Sequence, residues 1–267
     1  MKPCEFALHL VDVGKIFRGG LGQGSLEALN CLNVAVPQGE VFGVLGPNGA
    51  GKSTAFRICT GLIRPTSGYG WIYNRPIGTT ESLRLVGYLP DQPAFYEYLT
   101  ARESLTLCGR LAGISRDPLD ARVEEVLDYV GLHAAADRQL RAFSKGMLQR
   151  LGIAQAIVHD PSLLILDEPM SGLDPVGRAK ISALILDLKR RGKTIVLSTH
   201  LLEDVKVLCD RVGLLIRGRF VAVCRTREFL QGHDSPLPDD PLPGDRSRSP
   251  LADLIARHVT DDERCAV

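Results

Sequence analysis

An α/β fold built on a mixed sheet is what the sequence predicts, with an antiparallel β part ahead of the sheet and a helical lobe set into it. Three observations carry this expectation. Short apolar runs recur at residues 41–45, 163–166 and 194–197, and a helical stretch around 177–191 separates the last two, the alternation that a parallel α/β sheet requires. A glycine-rich loop at residues 46–51 follows the first run and opens a helix. Between about residues 90 and 160 the apolar spacing changes from strand-like to helical.

Taken in order, residues 6–13 alternate polar and apolar side chains as a half-buried strand does, and lead into a glycine-rich loop at 19–24. A second strand is expected at 28–36, closed by the turn chemistry of Pro37, Gln38 and Gly39. The helix after the 46–51 loop runs to Gly61. In the lobe, Thr100 with Glu103 reads as a capping box, and Val123, Val126, Leu127 and Val130 share a face before Gly131. Residues 212–216 and 219–223 flank Arg217-Gly218 as a hairpin. The folded domain is expected over 1–230. Residues 231–250 carry five of the sixteen prolines, several aspartates and almost no apolar period, and are expected as a disordered linker before a short tail, 251–267, able to form a helix.

Composition excludes several classes. Thirty-two basic against 31 acidic residues give a net charge of +1, unlike a nucleic-acid binder driven by phosphate neutralisation. That near-balance is made of unlike parts, since residues 1–230 are net +5 and residues 231–267 net −4. No apolar stretch approaches the roughly 18 residues of a bilayer span, and the N-terminus lacks the apolar segment of a signal peptide, so a cytoplasmic location is expected. Seven scattered cysteines without a CxxC pair support neither a disulfide framework nor a zinc site, and are expected as buried free thiols.

Two segments carry chemistry. Gly46-Pro47-Asn48-Gly49-Ala50-Gly51-Lys52-Ser53, followed by Thr54, fits a phosphate-binding loop, in which glycines let backbone N–H groups turn inward around phosphates at a helix N-terminus. Lys52 would reach the β- and γ-phosphates and Ser53 would hold Mg²⁺. The run at 163–166 ends in Asp167 and Glu168, which suits a carboxylate on the Mg²⁺ shell beside one that polarises an attacking water.

The phosphate loop, Phe143-Ser144-Lys145-Gly146-Met147, the strand ending in Asp167-Glu168-Pro169, Ser171-Gly172-Leu173-Asp174 and Ser198-Thr199-His200, in that order, resemble an ABC-type ATPase, and the wording is most similar to ATP-binding subunits of bacterial drug, lipid or polymer exporters. The resemblance covers roughly residues 4–230. It implies a P-loop NTPase fold, ATP and Mg²⁺, a homodimer or a paired ATPase subunit, an integral membrane permease as partner, and a place at the inner face of the cell membrane. It implies no nucleic-acid partner.

Residue by residue, the resemblance implies that Glu168, His200 and Lys52 act in hydrolysis and that Phe17 stacks on adenine. Ser144, Lys145 and Gly146 would touch the γ-phosphate held by the other subunit. This segment departs from the usual LSGGQ at Phe143, Lys145 and Met147, and Lys145 adds a positive charge near the expected phosphate. Asp174 would lie in the segment connecting the two subunits' sites. The magnesium- and water-contacting glutamine of the family aligns with Asp91, while this chain offers Gln92 one position later, and either could coordinate. Tyr88, Phe95, Tyr96 and Tyr98 crowd into eleven residues, an aromatic cluster suited to receiving a permease helix or to packing the lobe. The rival readings are an ABC ATPase acting on ribosomes or DNA, whose relatives usually carry two ATPase domains or a coiled-coil insertion, and a small-molecule kinase, which would not explain the later motifs.

Overall fold

A computed structural model describes residues 6–18 and 24–234. Most of the 19–24 loop, all of the 251–267 tail and the expected linker from residue 235 onward lie outside the described residues.

Two sheets organise the chain. The first is antiparallel, in the order β2 (Leu26–Pro37), β1 (Phe6–Phe17), β4 (Ser67–Ile72), β5 (Arg75–Pro76). The second runs β10 (Arg219–Arg225), β9 (Arg211–Ile216), β3 (Val41–Leu45), β8 (Thr194–Thr199), β7 (Leu163–Leu166), β6 (Val86–Leu89). Every neighbouring pair in it is parallel except β9 with β10. The fold is thus that of a P-loop NTPase.

Strands β3, β7 and β8 are buried along their whole length, because both faces of the sheet are covered. Their alternation sorts side chains into two cores. Phe42, Val44, Leu163, Ile165 and Val196 pack towards α1 (Lys52–Cys59) and the antiparallel sheet. Val41, Leu45, Leu164, Leu166, Ile195 and Leu197 pack towards α5 (Lys145–Ile157), α6 (Pro175–Arg190) and the helical lobe.

The lobe comprises α3 (Ala101–Leu111), α4 (Arg116–Tyr129) and α5. The Thr100–Glu103 capping box forms: the Glu103 N–H donates to Thr100 Oγ1 at 3.2 Å and the Thr100 N–H to Glu103 Oε2 at 2.8 Å. Val123, Val126, Leu127 and Val130 are buried together as the spacing predicts.

Some expectations need correcting. The first strand does not stop at Val13 but continues to Phe17, because paired bulges absorb the break in alternation. Asp12 and Cys31 both adopt positive φ, 51° and 48°, and Asn33 bonds the Asp12 N–H at 3.0 Å and its carboxylate at 2.8 Å. The apolar runs of β4 and β6 are broken by Gly68, Gly70 and Gly87, and β5, α2 (Thr80–Leu83) and α7 (Leu202–Leu208) are too short for periodicity to reveal. Beyond them, α8 (Thr226–Asp234) crosses the boundary expected at 230, since Phe229 is buried in the core. The five cysteines among the described residues are free, but only Cys59 and Cys209 are buried and Cys31 is exposed on its bulge.

One close approach seats the lobe on the sheet. At Gly87 of β6 a Cβ would collide with the carbonyl oxygen of Ala156 in α5 and sit 2.8 Å from Leu164 Cδ2. Gly87→Ala should therefore cost at least about 2 kcal/mol in urea denaturation, overpacking being relieved only by shifting backbone. Unchanged stability would show that α5 can move away freely.

Candidate functional site

The four strands β3, β8, β7 and β6 end nearly flush, with Leu45 paired to Thr199, Leu166 to Leu197 and Leu89 to Leu166. Whatever follows each strand emerges at one edge, the carboxyl edge at which open α/β sheets bind ligands. The phosphate loop leaves β3 there, Asp167 and Glu168 leave β7, His200 leaves β8 and Asp91 follows β6.

The loop is clamped from behind. The Gly218 N–H donates to Ala50 O and the Asn30 N–H to Gly218 O, both at 2.9 Å, tying the loop to the β9–β10 turn and to β2. Gly51, at φ 106°, has no room for a side chain: a Cβ would lie 2.6 Å from Ala28 O. No acidic residue occupies the first turn of α1, so its N-terminal backbone is free to favour an anion.

Lys52 is only 6% exposed. Its Nζ donates to Gly46 O at 2.7 Å and Pro47 O at 3.2 Å, and lies 3.3 Å from Glu168 Oε1 without hydrogen-bond alignment. Glu168 Oε1 is consequently a buried oxygen with no hydrogen-bond donor, while Oε2 lies 2.9 Å from His200 Nδ1. Glu168 therefore bridges an ammonium and an imidazole, and its backbone has the positive φ of 48° that a non-glycine residue seldom adopts.

Asp167 is 1% exposed. Burial pushes its carboxyl above the ordinary aspartate value, and hydrogen bonds from the Ser198 and Ser53 hydroxyls pull it back towards the charged form. Its own N–H donates to Leu89 O at 2.8 Å, which joins the ends of β6 and β7.

A cleft of about 320 Å³ opens here: the loop from Pro47 to Thr54 lines it together with Phe17, Asp91 and Glu168, while Asp167 and His200 are not among its lining residues and reach it through Ser53 and Glu168. Phe17 stands half-exposed at its mouth, with the Lys15 ammonium 5.1 Å from the ring centroid. Of the two candidates after β6, Asp91 lines the cleft and Gln92 does not.

Ser144, Lys145, Gly146 and Asp174 are not brought into this cleft within one chain. Ser144 caps α5, its Oγ accepting from Met147 N–H at 3.3 Å, and Asp174 caps α6, its Oδ1 accepting from Gly177 N–H at 2.8 Å. Both are exposed. The Lys145 side chain lies across Gly172, so its charge sits over the 171–174 segment rather than standing free at the helix start. The four aromatics also part company. Tyr88 lies half-buried on β6, its hydroxyl pushed up to about 12 by burial and then by Asp167, and Phe95 packs into the lobe. Only Tyr96 and Tyr98, 60% and 67% exposed with centroids 5.8 Å apart, form a surface pair.

Reading the sequence missed the groups that hold these residues. Gln149 of α5 donates through Nε2 to Pro169 O at 2.7 Å, fixing the turn after Glu168. Thr199 Oγ1 donates to Asp204 Oδ2 at 2.8 Å and accepts the Leu201 N–H at 3.0 Å, while Asp204 is ion-paired with Arg178 of α6, so the turn carrying His200 is tied to the helix that Asp174 caps. A polar residue on a fully buried strand, such as Ser198 or Thr199, was the available signal.

Residues 29–171 match the family model described as ABC transporter. The chain is 43% identical over 201 residues to the bacitracin transport ATP-binding protein of Bacillus licheniformis, covering 74% of this chain and 65% of that protein. It is 37% identical over 235 residues to a Nod factor export ATP-binding protein of Bradyrhizobium diazoefficiens, covering 87% and 75%. Relatives that are 43–46% identical are spanned over only 64–66% of their length. Among solved structures, a dimeric ATP-binding cassette in a post-hydrolysis state with ADP and phosphate superposes with a TM-score of 0.75 at 28% identity, covering 82% of this chain and 99% of that one. The family model and these relatives, together with the shared fold, show that the chain belongs to the ABC transporter family, as one of its ATP-binding cassettes.

Proposed function

We propose that this chain binds and hydrolyses ATP as one of a pair of cassettes, and that the resulting closure and reopening power a separate membrane permease, in the direction of export. The observation that carries this reading is Glu168, held between Lys52 and His200, with the oxygen that faces the Lys52 ammonium receiving no hydrogen bond. A carboxylate so placed can take a hydrogen bond from a water.

The chemistry follows from the geometry. The triphosphate seats on backbone N–H groups where the loop enters α1, from Gly51 to Thr54, and Lys52 exchanges the carbonyls of Gly46 and Pro47 for phosphate oxygens. Phe17 offers its ring to the base. Ser53, Asp167 and Asp91 are hard oxygen donors that fit a magnesium ion; Gln92, the other candidate, stands outside the cleft. Two carboxylates and a hydroxyl leave room in an octahedral shell for phosphate and water oxygens. When bound, Mg²⁺ neutralises charge on the β- and γ-phosphates. Glu168 aligns the attacking water and draws its proton, the new O–P bond forms at the γ-phosphorus, and the bond to the β-phosphate oxygen breaks to leave ADP and phosphate. His200 holds Glu168 through Nδ1 and presents the far side of its ring to the γ-phosphate.

The exposed helix start with Ser144 and Gly146 supplies the second half of the site to a partner copy, with hydroxyl and backbone N–H groups meeting the γ-phosphate across the dimer. Asp174 lies at the same interface. No helix among the described residues is long and apolar enough to cross a membrane. The likeness to ATP-binding subunits of transporters supports a separate permease that carries the membrane spans, with this chain peripheral to it at the inner face of the cell membrane. The paired rings of Tyr96 and Tyr98 are the contact offered to that permease.

Glu168→Gln should lower ATP turnover at least about 100-fold while leaving ATP binding intact, and should trap an ATP-bound dimer in size-exclusion chromatography. Wild-type turnover in this variant would overturn the assignment. In native membranes, affinity-tagged chain should recover a multi-span protein, and Tyr96→Ala with Tyr98→Ala should reduce that recovery several-fold. Recovery with ribosomes or DNA instead would overturn the transport reading.

A further inference from the structure

Ser198 is fully buried near the end of β8, beyond the pair Leu166–Leu197 that registers β8 against β7. That register sets its side chain opposite the two carboxylates that leave β7. Its hydroxyl makes two bonds of fixed sense. The Glu168 N–H, which can only donate, reaches Ser198 Oγ at 2.8 Å, so Oγ accepts there, and its single proton goes to Asp167 Oδ1 at 2.6 Å. One hydroxyl therefore spends both its roles on consecutive residues of the hydrolytic strand end.

The second of those residues is strained. Glu168 lies in the left-handed region, at φ 48°, a conformation that persists only where its surroundings enforce it. The Ser198 bond is the side-chain contact that meets its backbone at this point. A change in φ and ψ of Glu168 swings its Cα–Cβ direction, and with it the carboxylate that stands 3.3 Å from Lys52 and 2.9 Å from His200.

We propose that Ser198 is a positioning residue for hydrolysis: its hydroxyl holds the Glu168 backbone in the left-handed conformation and orients the Asp167 carboxylate, and so determines where the water-aligning carboxylate stands. This rests on the ATPase reading. It does not require Ser198 to touch nucleotide, and Ser198 is not among the groups that line the cleft.

The full-length chain tests it. Ser198→Ala should lower kcat about 10- to 100-fold, the scale expected for a misplaced catalytic group, with KM and ATP affinity changed by less than about 2-fold. Amide hydrogen exchange at Glu168 should quicken in the nucleotide-free variant, and Ser198→Thr, which keeps the hydroxyl, should recover most of kcat. Wild-type kcat with unchanged Glu168 exchange in Ser198→Ala would overturn the proposal. So would a rise in KM that parallels the fall in kcat and a drop in melting temperature, which marks a mere structural prop, or a failure of Ser198→Thr to recover kcat although it melts like wild type. A wild-type chain that does not hydrolyse ATP would sink the ATPase reading instead, a result separable from all of these.

Discussion

The flush ending of four buried parallel strands is the constraint on which the site depends. A strand inside a doubly covered sheet must pair its backbone on both edges, so β3, β8 and β7 are locked in register by hydrogen bonds that no water can replace, and β6, the last strand of the sheet, is held by its pairing with β7. The residues just past their ends then have little choice of position. Phosphate loop, paired carboxylates and histidine converge because their strands do, although some 150 residues of sequence separate the first from the last.

Convergence brings an electrostatic cost. An ammonium and two carboxylates are largely removed from water at one point, and such groups are tolerated only when paired or hydrogen-bonded. Each has partial compensation: Lys52 in the carbonyls of Gly46 and Pro47, Asp167 in serine hydroxyls, Glu168 in His200. The compensation is incomplete at Glu168 Oε1, and the loop carbonyls are held by a cation that a phosphate would attract more strongly. The arrangement is thus stable without ligand, yet ready to exchange weak internal partners for an external anion.

A second layer of contacts ties this edge to distant surfaces. Gln149 links α5 to the turn after Glu168, and the path from Thr199 through Asp204 to Arg178 links the His200 turn to α6. Those are the two helices whose exposed starts, capped by Ser144 and Asp174, would meet a second copy. On the proposed reading, helices tied to the strand ends by these polar contacts would let closure at the surface be felt at the site.

The sequence by itself determined the residues with chemistry and the elements with strong local signals. Glycine spacing before Lys52, the apolar run before Asp167, the Thr100 capping box and the apolar face of α4 are legible because each depends on neighbours within a few residues. It also held the order of motifs that marks the family. Only the tertiary structure decided that Asp91 rather than Gln92 lines the cleft, that Tyr96 and Tyr98 separate from Tyr88 and Phe95, and that Lys145 lies over Gly172. It alone decided that β1 runs on through its bulges to bring Phe17 to the cleft, and that Ser198 spans Asp167 and Glu168. The reason is common to all of these: each depends on register or packing between segments far apart in the chain, where pairing that slips by one residue turns a side chain to the opposite face, and no local pattern records which register wins.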